Sequence, residues 1–441
     1  MQKGIRVLEQ LFLVPFFISA WGVDYYGEWL TLTIIPTMLA FSDFGFGTAA
    51  ANSFVLQYLN GSKQKAADIF KTGLVIISFT ILFAIIISCF VLFLLEYYEV
   101  FDGLLIKKDD AIWAVSILTL ARFINFYNQL FGAYFIAARK ATISINLITI
   151  LAFLNIIAGL LVLELGYGVI PFAFSQLIMT LIFNIYYALR GTNILGLKKE
   201  FKGKLKYVYI KDITKIGMGY LLSPIWQALF FQGSTLVVRI VIGPAGVVIF
   251  NTVRTLSRTI NQLFSIVNNS VFPEFQYEYA QGNIQKAQKL FRISIFVVFV
   301  IAIIGVLFLS VFGLWFYEIW TKNELVVPII MWNIFIISIL FNSFWWTSGM
   351  VYRALNKPFF LVKIGAISAL ISVIISFILG KYFNLNGVAF GSLLLDVMMA
   401  FLIFPNACKL IGLKMNKELI LNGINDFKEI LGNNKYFLRR K

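Results

Sequence analysis

Histidine is absent from the 441 residues. Imidazole is therefore excluded as a general base, a metal ligand or a proton carrier, and neither a metal site nor a cofactor is expected. There are two cysteines. Cys89 and Cys408 sit in or beside apolar runs, so no disulfide framework is implied. Charge is scarce at 13% of the chain, and carboxylates are the scarcer kind, with 21 Asp and Glu against 37 Lys and Arg. Long polar stretches are missing too, which leaves no room for a separate soluble domain. What remains is apolar: 60% of residues are hydrophobic and the mean hydropathy is +0.86, against about 45–50% apolar residues in ordinary soluble chains. Apolar runs of about 20 residues recur from end to end, each long enough to cross about 30 Å of hydrocarbon. The chain reads as an all-α, polytopic membrane protein. Its net charge of +16 reflects lysines gathered in cytoplasmic loops rather than a nucleic-acid partner.

Twelve helices are predicted, over 5–22, 29–50, 72–95, 111–137, 142–163, 168–189, 216–239, 246–272, 292–316, 326–352, 358–380 and 386–411. The links between them alternate in charge. "NGSKQKAADIFK", "ARKA", "KKEFKGKLKYVYIKDITK", "QKAQKLFR", "YRALNKP" and "NNKYFLRRK" are basic, whereas "GVDYYGE", "EYYEVFDGLLIKKDDA", "LELG" and "YEIWTKNE" are acidic or mixed. The positive-inside rule places the basic set and both termini in the cytoplasm. Trp21, Trp29, Trp113, Trp315 and Trp320 then fall near outer helix ends, as an aromatic belt would. The implied organisation is a six-helix bundle over 1–190, a basic linker over 191–215, a second bundle over 216–411 and a basic tail over 412–441. The linker lysines are available to anionic lipid heads, and the tail carries an amphipathic pattern suited to the inner leaflet.

The chain also repeats itself. Shifted by 221 positions, "YLNGSKQKAADIF" lies over "YAQGNIQKAQKLF", matching Tyr58 with Tyr279, Gly61 with Gly282, Lys65 with Lys286 and Phe70 with Phe291. Gly22 falls on Gly243 at the same offset. A duplication with two parallel six-helix halves follows, a transporter design that places the substrate site between the halves. The same offset puts the start of the seventh helix before Met1, so a longer natural start or a truncated first helix is expected.

"WGVDYYGEWLTL", "SDFGFGTAAANSF" and "NGSKQKA", with "GPAGVVIFNTVRTLS" in the second half, resemble the polysaccharide-exporting flippases, the O-antigen and capsule repeat-unit translocases of the superfamily that also holds the multidrug and toxin extruders. The resemblance extends over nearly the whole chain in helix count and loop placement. It implies a V-shaped pair of bundles around a central cavity in a bacterial cytoplasmic membrane. The substrate it implies is an undecaprenyl-pyrophosphate-linked oligosaccharide, flipped from the inner to the outer leaflet.

Charged residues inside helices name the candidate site. Asn251, Arg254, Arg258, Asn261, Ser265 and Asn268 form a polar stripe at helical spacing. An arginine facing lipid at mid-bilayer costs at least about 2.5–3.5 kcal/mol, so the stripe faces protein or a watery cavity. Thr119, Arg122, Asn125, Gln129 and Gly132 share a face on the fourth helix. Guanidinium suits pyrophosphate because it stays charged and donates a planar pair of hydrogen bonds. The substrate-binding set is thus Arg122, Asn125, Gln129, Asn251, Arg254, Arg258 and Asn261, with internal ion pairs as the rival role for the arginines. Glu9, Asp43 and Asp396 are candidates for coupling to a proton or sodium ion, or for pairing with an arginine. Asn342 and "WWTS" (345–348) either line the cavity or pack. Pro224, preceded by Gly217 and Gly219, is the hinge candidate, a static kink being the alternative.

The reading is an alternating-access flippase rather than an enzyme, with contacts to polysaccharide polymerase machinery among its expected partners. A cation or drug antiporter of the same architecture is the rival, and carboxylates in place of arginines would mark it. A membrane polysaccharide polymerase would need a larger outer loop than 96–110, and a scaffold would have no use for arginine stripes.

Overall fold

The structure is a computed structural model. It describes residues 13–195, 202–355, 357–413 and 423–426, with the side chains of 218–224, 277, 280 and 358 outside that description. Glu9 lies outside the described residues. Helix α1 is described over 13–21. It is followed by α2 (Val23–Leu32), α3 (Ile34–Leu39), a 3₁₀ turn (Ala40–Asp43), α4 (Phe46–Leu59), α5 (Lys63–Tyr97), α6 (Lys108–Ile124) and α7 (Tyr127–Ala137). Then come α8 (Ala141–Glu164), α9 (Val169–Leu195), α10 (Tyr207–Val241), α11 (Pro244–Ala280), α12 (Ile284–Trp320), α13 (Ile329–Ala354) and α14 (Pro358–Leu410). No strand occurs among the described residues. Two compact units divide the chain, Met1–Ala228 and Leu229–Lys441.

The sequence repeat governs the element boundaries. Val23 and Pro244, which open α2 and α11, stand 221 positions apart, and so do Leu59 and Ala280, Lys63 and Ile284, and Lys108 and Ile329. The turn glycines match as well. Gly22 and Gly243 have φ of 77° and 112°, and Gly61 and Gly282 have 76° and 80°, a left-handed backbone that a side chain would strain. Several helices start earlier or end later than expected: α5 opens at Lys63 rather than 72, and α10 at Tyr207 rather than 216. Apolar limits mark the hydrocarbon, whereas the helices run on through lysine-bearing turns outside it.

The repeat breaks where its sequence diverges. In the first unit the pass Val23–Leu59 bends by 41°. The 3₁₀ turn ends in two left-handed residues, Phe44 at φ 50° and Gly45 at 68°. The matching positions in α11 carry Ser265 and Ile266, and that helix continues unbroken. The expected helix over 111–137 is likewise divided, between α6 and α7, at Asn125 and Phe126. Conversely, α14 is two passes. A straight helix of 53 residues would be about 80 Å long, far more than a bilayer is thick. The turn is at Asn384 (φ 51°), and the arms fold back on each other: Ser372 Oγ donates to Gly391 O at 2.7 Å and Ser376 Oγ to Val388 O at 3.2 Å.

Lipid-facing stripes repeat too. Phe83, Ile86 and Phe90 on α5, and their counterparts Ile304, Leu307 and Val311 on α12, are all more than half exposed, which in a water-soluble protein would be a patch needing cover. Six described helices are long and apolar enough to cross a membrane. Of the tryptophans expected in an aromatic belt, Trp113 and Trp315 are exposed, whereas Trp29 and Trp320 are buried. Trp29 packs edge-on against Trp21 and Phe172, ring centroids 5.7 and 5.6 Å away, so those rings serve the core instead.

Each unit ties down a segment outside the helices named above. In the first, the buried Asp68 near the start of α5 pairs with Lys206 Nζ at 2.6 Å and accepts from the Lys204 amide at 2.8 Å. Hydrogen bonding to that carboxylate raises the pKa of the Lys206 ammonium. In the second, Arg292 near the start of α12 donates to Asp426 at 2.7 Å. The acid is on the helix in one unit and on the segment in the other.

Candidate functional site

The polar stripe of α11 turns inward within its own unit. Asn261, Ser265 and Asn268 are buried, and Arg254 and Arg258 are half-buried. The apolar positions on the other side seat the helix: Val253 and Leu256 are buried, and Ile260 fills the space left by Gly305 on α12.

Arg254 is committed to its neighbours. Nη1 donates to Phe231 O at 3.1 Å and Ser234 Oγ at 2.9 Å, and Nη2 to Thr235 Oγ1 at 3.0 Å and to Asn251 Oδ1. These contacts use all the terminal N–H groups of the guanidinium and leave its Nε–H. Every one of these partners is neutral, so the side chain fastens α11 to α10 without cancelling its charge. Asn251 is held in turn, its amide donating to Val247 O at 2.9 Å.

Arg258, one turn on, is held loosely. Its contact with Asp396 Oδ2 is 3.5 Å long, and its side chain is 18% exposed. Phe231 contacts both guanidiniums, its ring centroid 5.3 Å from Arg254 and 4.8 Å from Arg258, and Phe230 flanks Arg258 at 5.4 Å. Cation–π contact with the ring partly offsets the repulsion that two like charges four residues apart would feel. Asp396, on α14, is buried; its Oδ1 accepts from Asn342 Nδ2 at 2.9 Å and Trp345 Nε1 at 3.0 Å, both from α13. Further along the stripe, Trp346 Nε1 donates to Ser265 Oγ at 3.3 Å and Asn268 Nδ2 to Thr347 Oγ1 at 3.5 Å. Asn261 Oδ1 is buried without a hydrogen-bond partner among the described residues.

In the first unit the candidates gather at the two helix breaks. Gly47, at the start of α4, lies against the α6–α7 break: a Cβ there would stand 3.1 Å from Phe126 O, 3.4 Å from Gln129 Cβ and 3.7 Å from Asp43 Oδ1. Asp43 and Gln129 therefore meet around a glycine. Asn125 turns back into its helix, donating to Ala121 O at 3.1 Å and accepting from Asn128 at 2.7 Å. Arg122 is exposed on the preceding turn while Thr119 is buried. Pro224 stands within the helical backbone of α10, its side chain outside the described residues.

Sequence reasoning singled out the arginines and Asp396 but missed three partners of the cluster: Phe230 and Phe231, which look like ordinary membrane-helix residues, and Trp345 as a hydrogen-bond donor. No group of three or more potential metal ligands occurs among the described residues.

No protein-family model matches the sequence, and no curated protein matches it. Solved structures do. The inward-facing conformation of a multidrug resistance MATE family transporter of the MOP superfamily is 14% identical with a TM-score of 0.77, over 93% of this chain and 95% of that one. A MATE in complex with MaD3S is 16% identical with a TM-score of 0.67, over 93% and 94%. The outward-facing conformation of a multidrug resistance MATE transporter is 15% identical with a TM-score of 0.63, also over 93% and 94%. Identity this low speaks for the fold alone: the chain has the architecture of the MATE transporters of the MOP superfamily.

Proposed function

We propose that the protein is an alternating-access flippase for an undecaprenyl-pyrophosphate-linked oligosaccharide, an O-antigen or capsule repeat unit, in a bacterial inner membrane. The observation that carries this reading is Arg258, an arginine inside a membrane helix whose side chain is 18% exposed and whose 3.5 Å contact with Asp396 leaves donors for an anion. A pyrophosphate accepts charge-assisted, bidentate hydrogen bonds of that kind. Asn261, one turn along, has a buried carbonyl oxygen without a partner among the described residues and would accept from a ligand hydroxyl that reached it. Arg254 serves by fixing the position of this helix against α10. The reaction changes no covalent bond, so no catalytic group is required.

A multidrug antiporter is the second reading, favoured by the likeness to multidrug MATE structures. A cationic drug would need carboxylates; Asp43 offers one in the first unit and Asp396 one in the second, though an arginine already faces Asp396. The test is surface polysaccharide display in cells carrying Arg254→Ala, Arg258→Ala or Arg254→Lys, with membrane levels and drug susceptibility measured alongside. Loss of display from inserted Arg258→Ala protein supports the flippase. Normal display with raised drug susceptibility would replace it with the antiporter.

A further inference from the structure

The surroundings of Asp396 link Arg258 to a second ion, and this inference rests on Arg258 being the anion-binding group. Asp396 is 1% exposed. Its two oxygens have different roles. Oδ1 accepts from two neutral donors, Asn342 Nδ2 and Trp345 Nε1. Oδ2 faces Arg258 at 3.5 Å. From α13 the groups that meet the carboxylate are Asn342 and Trp345, neither of which titrates near neutral pH. From α11 it is Arg258. Helix α10 presents the rings of Phe230 and Phe231 to the same guanidinium. Among the described residues Arg258 is thus the charge that balances Asp396, since Arg254 is turned toward α10.

A substrate anion that engages Arg258 therefore withdraws the counter-ion of a buried carboxylate. A buried carboxylate without a partner neutralises rather than stays ionised. The chain has no histidine to take the proton in its place. We propose that binding of an anion at Arg258 is coupled to uptake of one proton on Asp396 Oδ2, with Asn342 and Trp345 as positioning residues that keep Oδ1 as an acceptor in both states. The amide of Asn342 suits the neutral form: its own Oδ1 is buried and unpartnered among the described residues, so the group that donates to the carboxyl also offers an acceptor. Proton and anion then bind cooperatively, each raising the affinity for the other by the same factor.

The experiment uses the full chain in lipid nanodiscs and a farnesyl-pyrophosphoryl N-acetylglucosamine probe, whose pyrophosphate diester keeps its charge across the pH range. Calorimetry in buffers of different ionisation heat counts the protons taken up. About one proton per probe is expected at pH values where free Asp396 is ionised, with affinity falling about tenfold per pH unit there. Asp396→Asn should bind the probe with no proton uptake and no pH slope. Probe binding by the wild type with no proton uptake and a flat pH profile overturns the coupling and leaves the flippase reading standing. A slope retained in Asp396→Asn also overturns it. No binding at any pH, by wild type or variant, removes the flippase reading itself. The wild-type proton count stands even where the variant fails to fold.

Discussion

Lys206 Nζ lies 2.6 Å from Asp68 Oδ2, and the contact fixes the chain between α9 and α10 to the start of α5. Gln64 adds bonds to Asp68 at 3.1 Å and to Lys202 O at 3.2 Å, and Gly203 rides so close that a Cβ would stand 2.0 Å from Ala67 O. Asp68→Ala leaves the Lys204 amide and Gln64 without their shared acceptor, and should cost about 1–3 kcal/mol. Trypsin cleavage after Lys202, Lys204 and Lys206 should speed up accordingly. Lys206→Met should act less, since its ammonium is half exposed and the other two donors remain. Unchanged cleavage in Asp68→Ala would show that these contacts do not hold the segment.

The hairpin of α14 depends on glycine at its crossing. A Cβ on Gly387 would stand 2.1 Å from Leu379 O, and one on Gly391 would stand 2.6 Å from Ser376 N. Both obstacles are backbone and cannot swing aside. Gly387→Ala or Gly391→Ala should therefore lower the thermal midpoint in detergent and the amount of inserted protein. Gly349→Ala is the control: it lies in α13 with its nearest neighbour atom 4.0 Å from the added carbon, and alanine favours a helix over glycine. Equal losses at all three positions would rule out the close approach as the cause.

The basic links predict orientation. Cysteines replacing Lys65, Lys204 and Lys286 should resist an impermeant thiol reagent in intact cells, while those replacing Asp102 and Glu324 should react. Labelling of Lys204→Cys from outside would reverse the topology. Cys89 is exposed and Cys408 buried, so Cys89→Ser is the proper background.

The duplication, the helix count and the polar stripe were legible in the sequence because each is a local periodicity. Gly22 and Gly243 showed the repeat by identity, and the structure gives both a positive φ for the same turn. What periodicity could not show was pairing at a distance. Asp396 lies far along the chain from Arg258, and nothing in "LLLDVMM" says which helix it faces. The difference between the two arginines was equally hidden. Their sequence surroundings are similar, and only the path of α10 decides that Arg254 meets Ser234 and Thr235 while Arg258 meets phenylalanine rings. The break at Asn125 went unread because no proline or glycine marks it.

That difference separates structure from binding by mutation. Arg254→Lys replaces a planar fork with a point donor, which cannot reach Phe231 O, Ser234, Thr235 and Asn251 together. Acceptors are left buried and unpaired, so the variant should lose about 2–4 kcal/mol of stability. Arg258→Ala strands the Asp396 carboxylate and should cost about 3–5 kcal/mol. Arg258→Ala combined with Asp396→Asn removes both charges and should regain most of that loss while remaining unable to support polysaccharide display. Residues in contact give non-additive effects of this kind, and the excess recovery is the coupling energy of the pair. Thermal midpoints of the purified variants and display in cells together check the cycle. If the double variant is as unstable as Arg258→Ala, the pair contributes no coupling. If it restores display as well as stability, Arg258 is a structural counter-ion and the substrate anion binds elsewhere.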